Sequence, residues 1–239
     1  MLYLIGGPPR CGKTTLSAAL AKKLQIPYFS IDHIASVIPP YIPSECQDES
    51  FPLRALRQKV NNNNDRFFET YSAEEIVGVY QRQAATLWPG VRSFIDYAIQ
   101  DEHTLILEGW QLLPRFLAEI PPAERSGNLQ IQFLYKTDVE DILSGLKANN
   151  PVNDWVLRHT KEDASFIRIA QMISCFGKAI EIETTALRFE AVNLDRDFAR
   201  RISDLSNEMS DKRREGNDRS TSDSACYRHL RWSPHDHFP

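Results

Sequence analysis

No stretch of this 239-residue chain is apolar over the roughly 20 consecutive positions that a membrane-crossing helix needs, which excludes a helical span. An excess of basic charge is missing too. Lys and Arg number 28 against 32 Asp and Glu, a net charge of −4 that gives no support to nucleic acid as a bulk partner. Cysteine is scarce: Cys11, Cys46, Cys175 and Cys226 are scattered and form no Cys-x-x-Cys pair. That excludes a disulfide framework and reads as the reduced thiols of a cytosolic protein. Cys226, His229, His235 and His237 cluster near the end, but their spacing matches no standard zinc pattern. The chain starts directly on an apolar run with no leader in front of it, so no signal peptide is expected and a cytoplasmic location is. What is present is ordinary. An apolar fraction of 42% and a charged fraction of 25% suffice for one α/β domain with an insertion or a tail.

The most informative stretch is residues 3 to 15. Leu2 to Ile5 reads as a buried strand, broken by Gly6 and Gly7. From Gly7 the order is Gly-Pro8-Pro9-Arg10-Cys11-Gly12-Lys13-Thr14, the G-x-x-x-x-G-K-T spacing of a phosphate-binding loop. Glycines at those places let backbone N–H groups turn inward on phosphate oxygens, and the helix that follows aims its partly positive start at the same oxygens. In this pattern Lys13 reaches the β- and γ-phosphates and the Thr14 hydroxyl takes a place on Mg²⁺, with Thr15 beside it. A strand before the loop and a helix after it, with Leu16, Leu20 and Leu24 on one face, are the context that supports the motif. Arg10 reads either as a cation near the phosphates or as a solvated side chain. Cys11 reads as a small loop filler, although a helix N-terminus would lower its pKa.

Further along, Tyr28 to Ile31 makes a second short strand and Asp32 follows it. In a parallel sheet, ligands sit outside the carboxyl ends of the strands. Asp32 there either accepts a proton from a substrate hydroxyl or holds Mg²⁺ through water; its other reading is the N-cap of a helix from His33 to Ile38. Residues 39 to 71 carry Pro39, Pro40, Pro43 and Pro52, which deny long regular structure, and Asn61 to Asn64 reads as a loop. Ser72-Ala-Glu-Glu75 is a capping box opening a helix with Ile76, Val79, Tyr80, Gln83 and Leu87 on one face, kinked or split at Pro89-Gly90. Thr104 to Leu107 is a central strand ending at Glu108-Gly109-Trp110. Glu108 is either a metal- or substrate-facing acid or an exposed turn residue. Leu129 to Tyr135 is the fourth strand. Asp138 caps a helix, 164 to 187 is one long helix with Gly177 as a weak point or a close contact, and Phe189 to Leu194 is the fifth strand. Asp195 then caps a last helix through Met209, and from Ser210 onward composition predicts a disordered tail.

Gly7-Pro-Pro-Arg-Cys-Gly-Lys-Thr14, Ser30-Ile-Asp32-His-Ile34 and Leu105-Ile-Leu-Glu-Gly109 with Leu112-Leu-Pro114 together resemble the P-loop small-molecule kinases. The nearest likenesses are 2-phosphoglycerate kinase and the zeta-toxin, polynucleotide kinase and chloramphenicol phosphotransferase branch. The resemblance implies a three-layer α/β P-loop NTPase fold with a parallel five-stranded sheet in order 2-3-1-4-5, ATP and Mg²⁺ as cofactors, and a small-molecule acceptor. It implies one kinase domain over residues 1–209, with a substrate-side insertion at 39–101 and a lid at 147–168, and leaves 210–239 as the tail. Asp32 becomes the base or hydroxyl-orienting group and Glu108 a metal or substrate ligand. Arg54, Arg57 and Arg66 become candidates for an anionic acceptor, and Arg158 and Arg168 for neutralising the transferred phosphoryl group; each arginine reads equally well as a solvated charge. Gln111 stands where the phosphoglycerate enzyme would have His. Two alternatives stay open: a nucleotide-sugar kinase of the zeta-toxin kind, and a non-catalytic nucleotide-binding regulatory module. Asn149 to Asp154 supplies no Asn-Lys-x-Asp guanine-reading motif.

Overall fold

A computed structural model describes residues 1–148 and 155–223 of the chain. Five strands form one parallel sheet in the order β2-β3-β1-β4-β5. They are β1 Leu2–Gly6, β2 Tyr28–Ser30, β3 Leu105–Gly109, β4 Leu129–Tyr135 and β5 Ala191–Asn193. The central strand β1, Leu-Tyr-Leu-Ile-Gly, is buried throughout, as expected for a strand covered on both faces. Its side chains alternate between two cores. Leu2 and Leu4 join Leu107 and Phe133 in one, while Tyr3 and Ile5 join Ile106 and Leu134 in the other.

Helix α1 (Lys13–Leu24) covers the second core together with the last helix, α12 (Phe198–Asp223). Beyond β2 come α2 (Ile31–Val37) and two 3₁₀ turns, Pro39–Tyr41 and Ser44–Cys46. Three short helices follow: α3 (Gln47–Ser50), α4 (Pro52–Lys59) and α5 (Asn64–Thr70). The prolines do limit regular structure here, and each of these helices is eight residues or fewer. Asn61 and Asn62 take left-handed backbone, φ 53° and 54°, and Asn63 caps α5 through the Arg66 N–H. Asn64, expected in the loop, is instead the first residue of α5 and is buried.

Helix α6 (Ala73–Gln100) opens on the capping box read from Ser72 and Glu75. Pro89 does not split it: the helix runs unbroken for 28 residues. The missing backbone hydrogen bond is offset by burial on both sides: Leu87 is buried before Pro89, and Trp88, Val91 and Ile95 lie in the first core. Trp88 also stacks on Phe116 at 5.3 Å and donates its indole N–H to Glu119 at 2.7 Å. Two short helices, α7 (Pro114–Ala118) and α8 (Pro122–Arg125), lead to β4, and α9 (Val139–Lys147) follows it with Asp138 as the expected cap. Then come α10 (Trp155–His159) and α11 (Asp163–Leu187).

At the C-terminal end the sequence reading needs correcting. Strand β5 is shorter than expected, and Asp195 does not cap α12. Its carboxylate accepts the Thr137 and Asp138 N–H groups, at 2.9 and 3.1 Å, and the Asn193 amide at 2.8 Å, tying β5 to the start of α9. Helix α12 continues through Ser210, where apolar periodicity fails, because Ser206 and Ser210 are themselves buried. Residues 149–154 and 224–239 lie outside the described residues, and with them Cys226, His229, His235, His237 and the region of the missing guanine-reading motif. No helix among the described residues is long and apolar enough to cross a membrane.

Gly177 proves to be a close contact. It sits mid-α11 where a methyl group would overlap the Lys136 carbonyl oxygen at the end of β4. Gly177→Ala is therefore expected to cost about 1–3 kcal/mol despite the better helix propensity of Ala. A lower urea midpoint at unchanged slope checks this.

Candidate active site

The parallel register decides what meets at the carboxyl edge of the sheet. Gly6 pairs with Gly109 and Phe133, and Glu108 pairs with both Ile5 and Ser30. The loop after β1, the start of α2 and the end of β3 therefore open on one place. The loop itself curls through left-handed backbone at Gly7 (φ 138°), Arg10 (φ 64°) and Gly12 (φ 98°). Gly7 has no room for a side chain, because a Cβ would collide with the Leu134 carbonyl oxygen of β4. Gly12 starts α1 with no side-chain cap and no acid in the first turn, which leaves that end to a ligand anion.

Lys13 is only 7% exposed, and its ammonium donates to the Pro8 carbonyl at 2.7 Å. The Thr14 hydroxyl donates to Glu108 Oε1 at 3.2 Å, and Glu108 is 5% exposed. Glu108 is thus not an exposed turn acid. A hydroxyl and one buried carboxylate are a fitting protein share for Mg²⁺, which takes one or two carboxylates and completes its shell with water and substrate phosphates. Among the described residues no group of three or more His, Cys, Asp and Glu could form an all-protein cage.

These residues line a cavity of about 990 Å³ that also receives Asp32, Arg57, Tyr80, Trp110, Lys136 and Asp141. Asp32 lies in the first turn of α2, but Ser30 is the N-cap and accepts the Asp32 N–H at 3.4 Å. The Asp32 carboxylate is therefore not consumed in capping. Its Oδ1 accepts the Gln111 amide at 2.8 Å. His33 points its Nδ1 at the Ser30 carbonyl oxygen, 3.1 Å away, and packs on Phe29, a structural role.

The arginines divide by helical face. Arg57, one turn from buried Leu53, lines the cavity; its Nη1 donates to Asn64 Oδ1 at 2.9 Å and its guanidinium covers the Phe67 ring at 4.5 Å. Tyr80 hydrogen-bonds it, and burial pushes the Tyr80 phenol up although Arg57 pulls it down. Asn64 in turn donates to Thr160, and Asp65 accepts the Lys161 and Glu162 N–H groups, so α5 grips the junction of α10 and α11. Arg54 and Arg66 are exposed and do not line the cavity. Arg158 is exposed on α10, and Arg168 lines a separate groove between α5, α6 and α11. The structure therefore does not bring Arg158 and Arg168 to the phosphate loop.

The cavity also includes two residues, Lys136 and Asp141, that no motif in the sequence marks. Lys136, 7% exposed, pairs with Asp141 at 2.6 Å and lies over the Phe198 ring at 5.3 Å. Both were visible only as a turn lysine and a helix acid, and their placement follows from β4 lying beside β1. The 3.6-residue period would have preferred Arg57 to Arg54, since Leu53 and Arg57 share a face.

No family model matches the chain, and no curated protein does. Among solved structures it is similar to the shikimate kinase of Bacteroides thetaiotaomicron, with 17% identity, 88% of this chain and 98% of that one covered, and a TM-score of 0.45. It is also similar to the shikimate kinase of Acinetobacter baumannii in complex with shikimate (17% identity, 87% and 89% covered, TM-score 0.40). A third is an uncharacterised protein from Eubacterium ventriosum (12% identity, 88% and 98% covered, TM-score 0.44). Likenesses this distant carry no activity across.

Burial pushes the Cys11 thiol up, and the nearby Lys13 ammonium only partly offsets it. A raised pKa means less thiolate at a given pH, the reverse of what a helix N-terminus alone would give. At pH 8 Cys11 should be alkylated by iodoacetamide more than about tenfold slower than exposed Cys46. Peptide mass spectrometry of the native protein reads the ratio, and equal rates would contradict the buried loop.

Proposed function

We propose that the protein is an ATP- and Mg²⁺-dependent phosphotransferase that moves the γ-phosphoryl group to a hydroxyl or phosphate of a small molecule. One observation carries this reading. The Lys13–Thr14–Glu108 cluster and a carboxylate not used for capping, Asp32, face the same cavity.

The transfer needs little covalent help, so the work is positioning and charge neutralisation. Lys13 would leave the Pro8 carbonyl for the β- and γ-phosphate oxygens, joined by loop N–H groups and the open start of α1. Thr14 and Glu108 would hold Mg²⁺, which supplies charge neutralisation at the phosphate oxygens. Asp32 would take the proton of the attacking hydroxyl as its oxygen bonds to the γ-phosphorus and the bond to the β-phosphate oxygen breaks. Arg57 and Lys136 would supply positive charge on two walls of the cavity, the role that the resemblance implies for Arg158 and Arg168.

Lys13→Ala should abolish ATP binding. Asp32→Asn should bind ATP normally and lose turnover by a factor on the order of 100 or more. ADP release against a panel of hydroxylated and phosphorylated metabolites measures both, with Lys13→Ala as the blank. Unchanged turnover in Asp32→Asn would remove the base assignment. Glu108→Gln should leave ATP affinity in EDTA unchanged and weaken the affinity gained on adding Mg²⁺, by about tenfold, as titration calorimetry would show. An equal gain in both proteins would remove Glu108 from the metal.

A further inference from the structure

We propose that Gln111 is a positioning residue that aims the Asp32 carboxylate at the acceptor; the inference rests on the phosphotransferase reading above. After β3 the chain runs Glu108-Gly109-Trp110-Gln111. Gly109 carries no side chain, and one there would overlap Gln111 Oε1 and approach Ile31 Cβ to 2.9 Å. The glycine thus vacates the space through which Gln111 folds back beneath α2. Gln111 ends 1% exposed, with Nε2 bonded to Asp32 Oδ1 at 2.8 Å.

The other half of the amide is the telling part. Gln111 Oε1 is buried and has no hydrogen-bond partner among the described residues. An orphaned buried acceptor lowers stability. The bond that Nε2 makes is charge-assisted, but it ends on an exposed carboxylate that water also serves, which reduces its net return. Its neighbours in sequence, Leu112 and Leu113, are fully buried, as is Ile31 beside Gly109. On stability alone an apolar side chain would suit position 111 better. What the glutamine achieves is orientation. The backbone of Asp32 is fixed by the Ser30 hydroxyl and one carboxylate oxygen by Gln111, which leaves Oδ2 to receive the proton. In the step itself the acceptor O–H proton passes to Oδ2, the acceptor oxygen bonds to the γ-phosphorus, and ADP departs with the electrons of the broken P–O bond.

The test is a double-mutant cycle on Lys13-dependent ADP release from ATP–Mg²⁺, using the pooled hydroxylated and phosphorylated panel as acceptor. Gln111→Met is nearly isosteric and removes the donor. It should melt no lower than wild type and bind ATP unchanged, while kcat falls by about 10- to 100-fold with little change in KM for ATP. Combined with Asp32→Asn it should lower release no further than Asp32→Asn alone, because the two residues act as one unit. Gln111→His, which restores an N–H donor, should recover part of the rate. Losses that multiply in the double variant overturn the proposal. So does a Gln111→Met protein that melts lower and loses ATP binding and turnover together, the pattern of a merely structural residue. Full release by Gln111→Met overturns this inference and leaves the kinase reading standing. Absence of Lys13-dependent release in wild type fails the kinase reading, and this inference falls with it.

Discussion

The backbone contact between the first loop and the fourth strand governs the site. Gly7 lies so close to the Leu134 carbonyl oxygen that no side chain fits between them. That approach locks the loop from Gly7 to Gly12 to β4, and Lys136 follows directly after β4. Lys136 is pinned from the other side by Gly177 of α11. Two glycines far apart in sequence therefore hold one cation against the wall of one cavity. The lysine's neighbours are fixed the same way, since Gly12 abuts Phe198 and Phe198 lies beneath the Lys136 ammonium.

From this constraint the division of labour between the two cores follows. The core beneath α1 and α12 is small and built from Tyr3, Ile5, Leu16, Leu20, Ile106 and Leu134. It serves the loop. The larger core beneath α6 and α11 contains most of the aromatic side chains and supports the opposite wall, where Tyr80 meets Trp110 edge-on at 4.8 Å. Closely packed walls of this kind would suit the proposed transfer, whose catalysis is mostly placement.

Much of this was legible in the sequence, and the reason is local. The loop motif, the Ser72–Glu75 capping box and the Asp138 cap are each written within a few residues, and the apolar face of α6 recurs at local helical spacing. The sheet order came from the resemblance and agrees with the observed pairing. What stayed illegible is set by contacts across the chain. The helical period separates Arg57 from Arg54, but only Asn64 and Phe67, placed around Arg57, show which way its guanidinium is held. Asp195 looks like a cap until Thr137 and Asn193 arrive at its carboxylate. The resemblance implies a lid role for Arg168, yet its helix places it in the groove that Glu69 and Glu74 also line. The end of α12 was misjudged because a serine can be as buried as a leucine when two helices approach closely.

The bond from Lys13 to the Pro8 carbonyl has a thermodynamic consequence. The loop supplies its own acceptor for its lysine, so the ammonium is hydrogen-bonded within the chain. Under the proposed function, nucleotide capture would be an exchange of one hydrogen-bonded partner for another. The heat of such binding would report the difference between phosphate and peptide carbonyl as acceptors, a smaller quantity than the strength of either. Affinity in such a loop can be tuned by how comfortably the lysine rests at home, without altering any atom that touches the phosphate.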